Sequence, residues 1–206
     1  MRSRLLAAAL LAAPAILRAQ SGAPAPAMPA GWQMHLDRAT LPADYTFGKA
    51  GTGFHATTVR AAGTFYDPKL TASGSYRVDA TFTQTKAPMH PEAYGVIFGG
   101  SALESDTQQS YFYFVVRGDG KFLINHRAGT EVHKLIDWTA SPAVHVADAS
   151  GKATNALHVD VRPDSVRFSV NGTRVAALAD LGANGIVGLR INHGLDVQVE
   201  GPKITK

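Results

Sequence analysis

A period of two in the apolar residues constrains this chain more than any other feature. In "SYRVDATFTQT", Tyr76, Val78, Ala80 and Phe82 fall on one side, and Arg77, Asp79, Thr81 and Thr83 fall on the other. Successive side chains of a strand point to opposite faces, so this pattern buries one face of a sheet and wets the other. The pattern returns in "ALHVDVRP", with Leu157, Val159 and Val161 inward, and in "GLDVQVEG", with Leu195, Val197 and Val199 inward. Helix signals are almost missing. No internal repeat and no second composition regime interrupt the strands, so one all-β domain of packed antiparallel sheets is predicted.

Two dipeptides set hairpins. Asn171-Gly172 suits the two positive-φ positions of a tight turn, which places Val170 opposite Thr173 and Phe168 opposite Val175. Given the same role, Asp119-Gly120 places Arg117 opposite Phe122, Val115 opposite Ile124 and Tyr113 opposite His126. In that register one face carries Phe112, Phe114 and Val116 with Leu123 and Asn125 and reads as core. The other carries Tyr111, Tyr113, Val115 and Arg117 with Ile124 and His126. It mixes rings, aliphatics and hydrogen-bonding tips, as a binding groove does. Asp67-Pro68 reads as a turn.

The N-terminal segment reads differently. Arg2 and Arg4 precede an apolar run from Leu5 to Leu17, and Ala19 follows. This is the pattern of a secretory signal over residues 1–19, too short and too proline-interrupted for a membrane span. A Pro/Ala-rich linker is expected over residues 20–31 and the folded domain over 32–206, with Trp32 pinning its first strand. Export implies a secreted or periplasmic protein with no integral membrane segment after processing. Arg2, Arg4 and Arg18 leave with the signal, which takes the formal charge from +4 to +1. No Lys/Arg cluster then remains to track phosphates, so nucleic acid is not an expected partner. The chain has 0 Cys, which excludes disulfides, thiolate metal sites and cysteine nucleophiles.

The succession "YGVIFGG", "SYFYFVVRGDGKFLI", "LHVDVRPDSVRFSVNGTRVAAL" and "GIVGLRINHGLDVQVEG" resembles the concanavalin-A-like lectin/glucanase superfamily. Within it the chain resembles the bacterial 3-keto-disaccharide hydrolase-like domains. The resemblance implies a two-sheet antiparallel jelly-roll sandwich and a glycan or small sugar as partner, bound or hydrolysed in a concave-face groove. A 3-keto-glycoside hydrolase activity is the form of catalysis it implies. Departures from the superfamily's enzymes matter. Glycosidases of family 16 carry Glu-x-Asp-x-x-Glu, two carboxylates that flank the scissile bond. Here the only glutamates are Glu92, Glu104, Glu131 and Glu200, and none stands in that motif.

"HPEAYG" is the sharpest local feature: Glu92, fixed by Pro91 at the mouth of a strand, beside His90. Glu92 and His90 are the candidate catalytic pair. His55, Tyr94, Tyr113, Arg117, His126 and Trp138 are the candidate sugar contacts, with Trp138 as a stacking platform. No cofactor motif is present, and no His-x-His or HExxH spacing marks a metal. A set drawn from His55, His90, Glu92 and His193 stays open. The competing reading is a non-catalytic structural or adhesion module of the cell envelope.

Overall fold

The computed structural model describes residues 28–38, 44–179 and 181–206. The expected signal segment and most of the expected linker lie outside them. Among the described residues, fourteen strands, numbered in chain order, form two seven-stranded antiparallel sheets. Sheet A runs β1 (Gln33–Leu36), β4 (Gly63–Ala72), β13 (Gly185–Ile191), β6 (Ala93–Ser101), β7 (Ser110–Arg117), β8 (Lys121–Ala128) and β9 (Glu131–Ala140). Sheet B runs β12 (Thr173–Ala179), β11 (Ser165–Val170), β10 (Ala153–Val161), β5 (Tyr76–Gln84), β14 (Asp196–Thr205), β3 (Gly53–Thr58) and β2 (Tyr45–Ala50). The described residues contain no α-helix.

The alternating strands behave as their pattern demands. Tyr76, Val78, Ala80 and Phe82 of β5, and Leu157, Val159 and Val161 of β10, are buried between the sheets. Leu195, Val197 and Val199 join them there. Phe168 of β11 crosses to sheet A, with its ring 5.9 Å from Phe98 and 5.3 Å from Phe114. At the other end, Trp32 packs against Phe47 and Phe54 at 5.1 and 4.5 Å and anchors the entry to β1. Met28 also packs on the core, so ordered packing starts before Trp32.

The Asn171-Gly172 turn forms with φ of 50° and 80°, and Val170 faces Thr173. A bulge between Phe168 and Ser169 then moves Phe168 opposite Ala176 rather than Val175. Asp67-Pro68 is not a turn but lies inside β4. It falls where the pairing with β13 skips from Tyr66 to Thr71, and a residue without an N–H costs nothing in that gap.

The second hairpin departs from expectation with larger consequences. Its loop has three residues, Gly118-Asp119-Gly120, with Arg117 opposite Lys121. Only Gly120 takes a positive φ, 83°, whereas a two-residue turn would need two such positions. Asp119 prefers another task, since its carboxylate accepts two 2.8 Å hydrogen bonds from the Arg117 guanidinium. A one-residue shift turns every side chain of β8 over. Asn125 therefore stands opposite Tyr113, and His126 opposite Phe112.

Candidate functional site

Cross-strand register assembles the outer face of sheet A from residues far apart in sequence. One row reads His35, Thr64, Arg190, Gly95, Val115, Leu123. The next reads Gln33, Tyr66, Gly188, Ile97, Tyr113, Asn125. Tyr113 is half-buried and touches two apolar clusters at once. On one side Tyr66, Ile97 and Tyr111 lie under Leu103 of the β6–β7 loop, all fully enclosed. On the other, Ala93, Val115 and Leu123 carry the ring of Trp138. The face is thus roofed at the Leu103 end and accessible at the Trp138 end.

A buried cation lies at the middle of this face. Arg190 is 8% exposed and is held by both Asp37 carboxylate oxygens, one of them 2.7 Å from Nη1. Its guanidinium sits 5.9 Å from the Tyr113 ring centre and 3.5 Å from the Tyr111 hydroxyl. Burial opposes the charge on both partners. The pair overcomes it, so the Asp37 carboxyl is held below its usual value and the Arg190 guanidinium above. Arg127, opposite Tyr111, adds a second cation near Asp37 and donates to the Gly129 carbonyl at 2.7 Å. The Asn125 amide donates to the Tyr113 hydroxyl at 2.9 Å. Asn125 Oδ1 and Arg190 Nε are buried without a hydrogen-bond partner among the described residues. The Arg117 guanidinium carbon lies 4.2 Å from the Trp138 ring centre, and the group is paired with Asp119 at 2.8 Å.

The expected site residues separate. Tyr113, Arg117 and Trp138 share this face. Tyr94 does not: it is 0% exposed between the sheets, bonded through its hydroxyl to Asn155, and its place in the alternation of β6 dictates this. His126 does not either, because the hairpin shift puts it on the inner side at the sandwich edge. There it stacks on Phe112 at 4.5 Å and lies 2.9 Å from the Ser110 hydroxyl. Phe112 itself is only partly buried. His55 belongs to sheet B, facing outward and paired with Asp196 at 2.7 Å. His90 is exposed and lines a separate cleft of about 200 Å³ with Gln84 and Asp119. Glu92 is mostly buried, and its partner is His193, at 3.1 Å, with the Asn192 amide at 3.2 Å. No group of three or more His, Asp or Glu side chains suited to a metal occurs among the described residues.

Sequence reasoning missed Arg190, Asp37, Asn125 and Arg127 as members of the face. Arg190 had a signal: it is the one charge in the apolar run "GIVGLRI". Asp37 had none, because 153 residues separate it from its partner.

His126 has its own consequence. Burial, and then the neighbouring His133, hold its imidazole below the ordinary value of 6.5. A depressed histidine favours the fold while neutral, so this contribution is full above pH 6.5 and fades as pH falls below it. Thermal melts of wild type and His126→Gln should therefore converge between pH 7 and pH 5. Parallel curves would contradict this.

The sandwich is of the concanavalin-A-like jelly-roll class. It is similar to the carbohydrate-binding module CBM66 from Bacillus subtilis, with a TM-score of 0.64 at 10% identity over 85% of this chain and 96% of that one. It is also similar to a protein of unknown function with a galectin-like fold from Bacillus subtilis, with a TM-score of 0.61 at 13% identity over 84% and 88% of the two chains. A glycoside hydrolase family 16 endo-glucanase from Bacteroides ovatus gives a TM-score of 0.58 at 8% identity over 84% and 94%. At such identities the likeness is one of fold. No protein-family model matches the sequence, and no curated protein matches it. The narrower resemblance to 3-keto-disaccharide hydrolase-like domains rests on sequence motifs alone.

Proposed function

We propose that this chain is an exported glycan-binding sandwich that holds a sugar on the outer face of sheet A, between Trp138 and the Arg190–Asp37 pair. The observation that carries the reading is Tyr113. It is a half-open ring at the junction of two apolar clusters, one of which carries the partly exposed ring of Trp138. Aromatic faces accept the apolar side of a pyranose, and a few fixed polar atoms orient its hydroxyls. Similarity of fold to a carbohydrate-binding module and to a glucanase supports the class of ligand. Binding is favoured over hydrolysis because the candidate acid Glu92 is engaged by His193 and Asp37 by Arg190. A retaining hydrolase would need two carboxyl groups about 5 Å apart across the scissile bond.

A glycan array identifies the sugar, and isothermal titration calorimetry measures affinity. Tyr113→Ala and Trp138→Ala should each weaken binding at least about tenfold, the scale of a lost aromatic anchor. Wild-type affinity in both folded variants, or no glycan bound by the wild type, would sink the proposal.

A further inference from the structure

The opposite side of the sandwich carries an uncompensated basic cleft. On the outer face of sheet B, register builds a row of Arg174, Ser169, His158, Asp79 and Lys203 across five strands. The adjacent row is Ala177, Arg167, Asp160, Arg77 and Thr205. Between them lies a cavity of about 420 Å³ lined by Arg77, His158, Asp160, Arg167, Ser169 and Arg174. A second cavity of about 310 Å³ shares Arg77 and Asp160 with it and reaches Arg162 and Lys206.

Both acids in these rows are already committed. Asp79 accepts from Arg77 at 2.6 Å and from His158, and Asp160 is paired with Arg162 at 2.9 Å. The side chains of Arg167 and Arg174 have no ion pair or hydrogen bond among the described residues. They stand on neighbouring strands in diagonal positions, since Arg174 faces Ser169 and Arg167 lies two residues before it. Diagonal neighbours of a regular ladder are about 7 Å apart; here the bulge between Phe168 and Ser169 intervenes, and both side chains line one cavity. Two like charges there repel unless something anionic lies between them. Two guanidinium forks beside the Ser169 hydroxyl form a donor set that fits a tetrahedral oxyanion.

We propose that this cleft binds a phosphate- or sulfate-type oxyanion, free or esterified to a sugar, between Arg167 and Arg174. The site is on the opposite sheet from Tyr113 and stands independently of the glycan proposal. Ser169 donates from the cleft floor, and Arg77, fixed by Asp79, closes one side. The affinity depends on salt, because the contact is charge on charge at an open surface.

The experiment titrates the purified exported chain with inorganic phosphate and with glucose 6-phosphate, using glucose as the neutral control, at low ionic strength. Amide shifts of β10, β11 and β12 are followed by two-dimensional NMR. Saturable shifts there with both anions and none with glucose are expected. An Arg167→Gln/Arg174→Gln variant should lose at least about tenfold in affinity, the scale of two charge-assisted contacts. Tighter binding of glucose 6-phosphate than of phosphate would assign a sugar-borne group, and equal binding would assign the oxyanion alone. Both positions are exposed, so the variant's fold should be intact, and a wild-type melting curve verifies it. No saturable shift with either anion, or wild-type titration curves in the variant, would overturn the proposal. Tyr113→Ala should leave these titrations unchanged.

Discussion

Asp37→Ala is expected to destabilise the fold by about 3 kcal/mol, the lower end of the range for removing one partner of a buried ion pair. The lower end applies because the Asp37 side chain is 31% exposed, so water reaches one partner. Arg190 has no such relief at 10% side-chain exposure. Without Asp37 its guanidinium stays enclosed beside Tyr111 and Tyr113 with nothing to balance its charge. Urea unfolding at constant slope measures the loss, and a change below about 1 kcal/mol would show that Arg190 finds water or another partner. The double variant Asp37→Ala/Arg190→Met should recover most of the loss, since an apolar chain of similar length needs no counter-charge. Acid should reproduce part of the effect. The Asp37 carboxyl is held below its ordinary value of 3.8, so its contribution is present above that pH and is lost as pH falls through the folded-state value. Asp196, held low by His55, Thr85 and Lys86 against its own burial, titrates in the same direction. Wild type should therefore lose stability below pH 3.8 more steeply than Asp37→Ala.

Phe168→Ala should cost more, about 4 kcal/mol, within the range for a phenylalanine removed from a closed core. Phe168 is 0% exposed and is the ring of sheet B that meets both Phe98 and Phe114 of sheet A. Its removal leaves a cavity at the junction of two rigid layers, and neither layer can collapse without breaking its ladder. Phe112→Ala, by contrast, removes a ring at the partly exposed edge beside His126 and should cost less than half as much. Equal losses at the two positions would mean that the sheets do not pack through Phe168 as described.

These two sites show different legibility. Phe168 could be read directly, because "SVRFSV" alternates and its apolar members must face one way. The same holds for β5 and β10 and for Val197 and Val199 of β14, whose inward side chains are buried between the sheets. Period-two patterning is a local property, so local sequence sufficed to predict two packed antiparallel sheets. The Asn171-Gly172 turn was legible for the same reason: two adjacent residues tolerate positive φ, and that requirement is local.

What the sequence by itself determined was therefore the strand set, its inward faces and one of the three turns it signposted. Only the tertiary structure decided who shares the outer face of sheet A. The Gly118-Asp119-Gly120 loop shows why. Whether two or three residues close it depends on Asp119 reaching the Arg117 guanidinium and on β8 meeting β9, and no dipeptide rule contains either. That single residue moved His126 inward and brought Asn125 to Tyr113. Asp37 and Arg190 are a longer-range case, joined across 153 residues by the order of strands in the sheet. Glu92 follows the same logic. Pro91 and the strand start fixed its place, but its histidine proved to be His193, from the turn between β13 and β14, and not the adjacent His90. Hydrophobic alternation says which way a side chain points, while strand order and register say what it meets. Those arise from the packing of the whole sandwich rather than from any stretch of its chain.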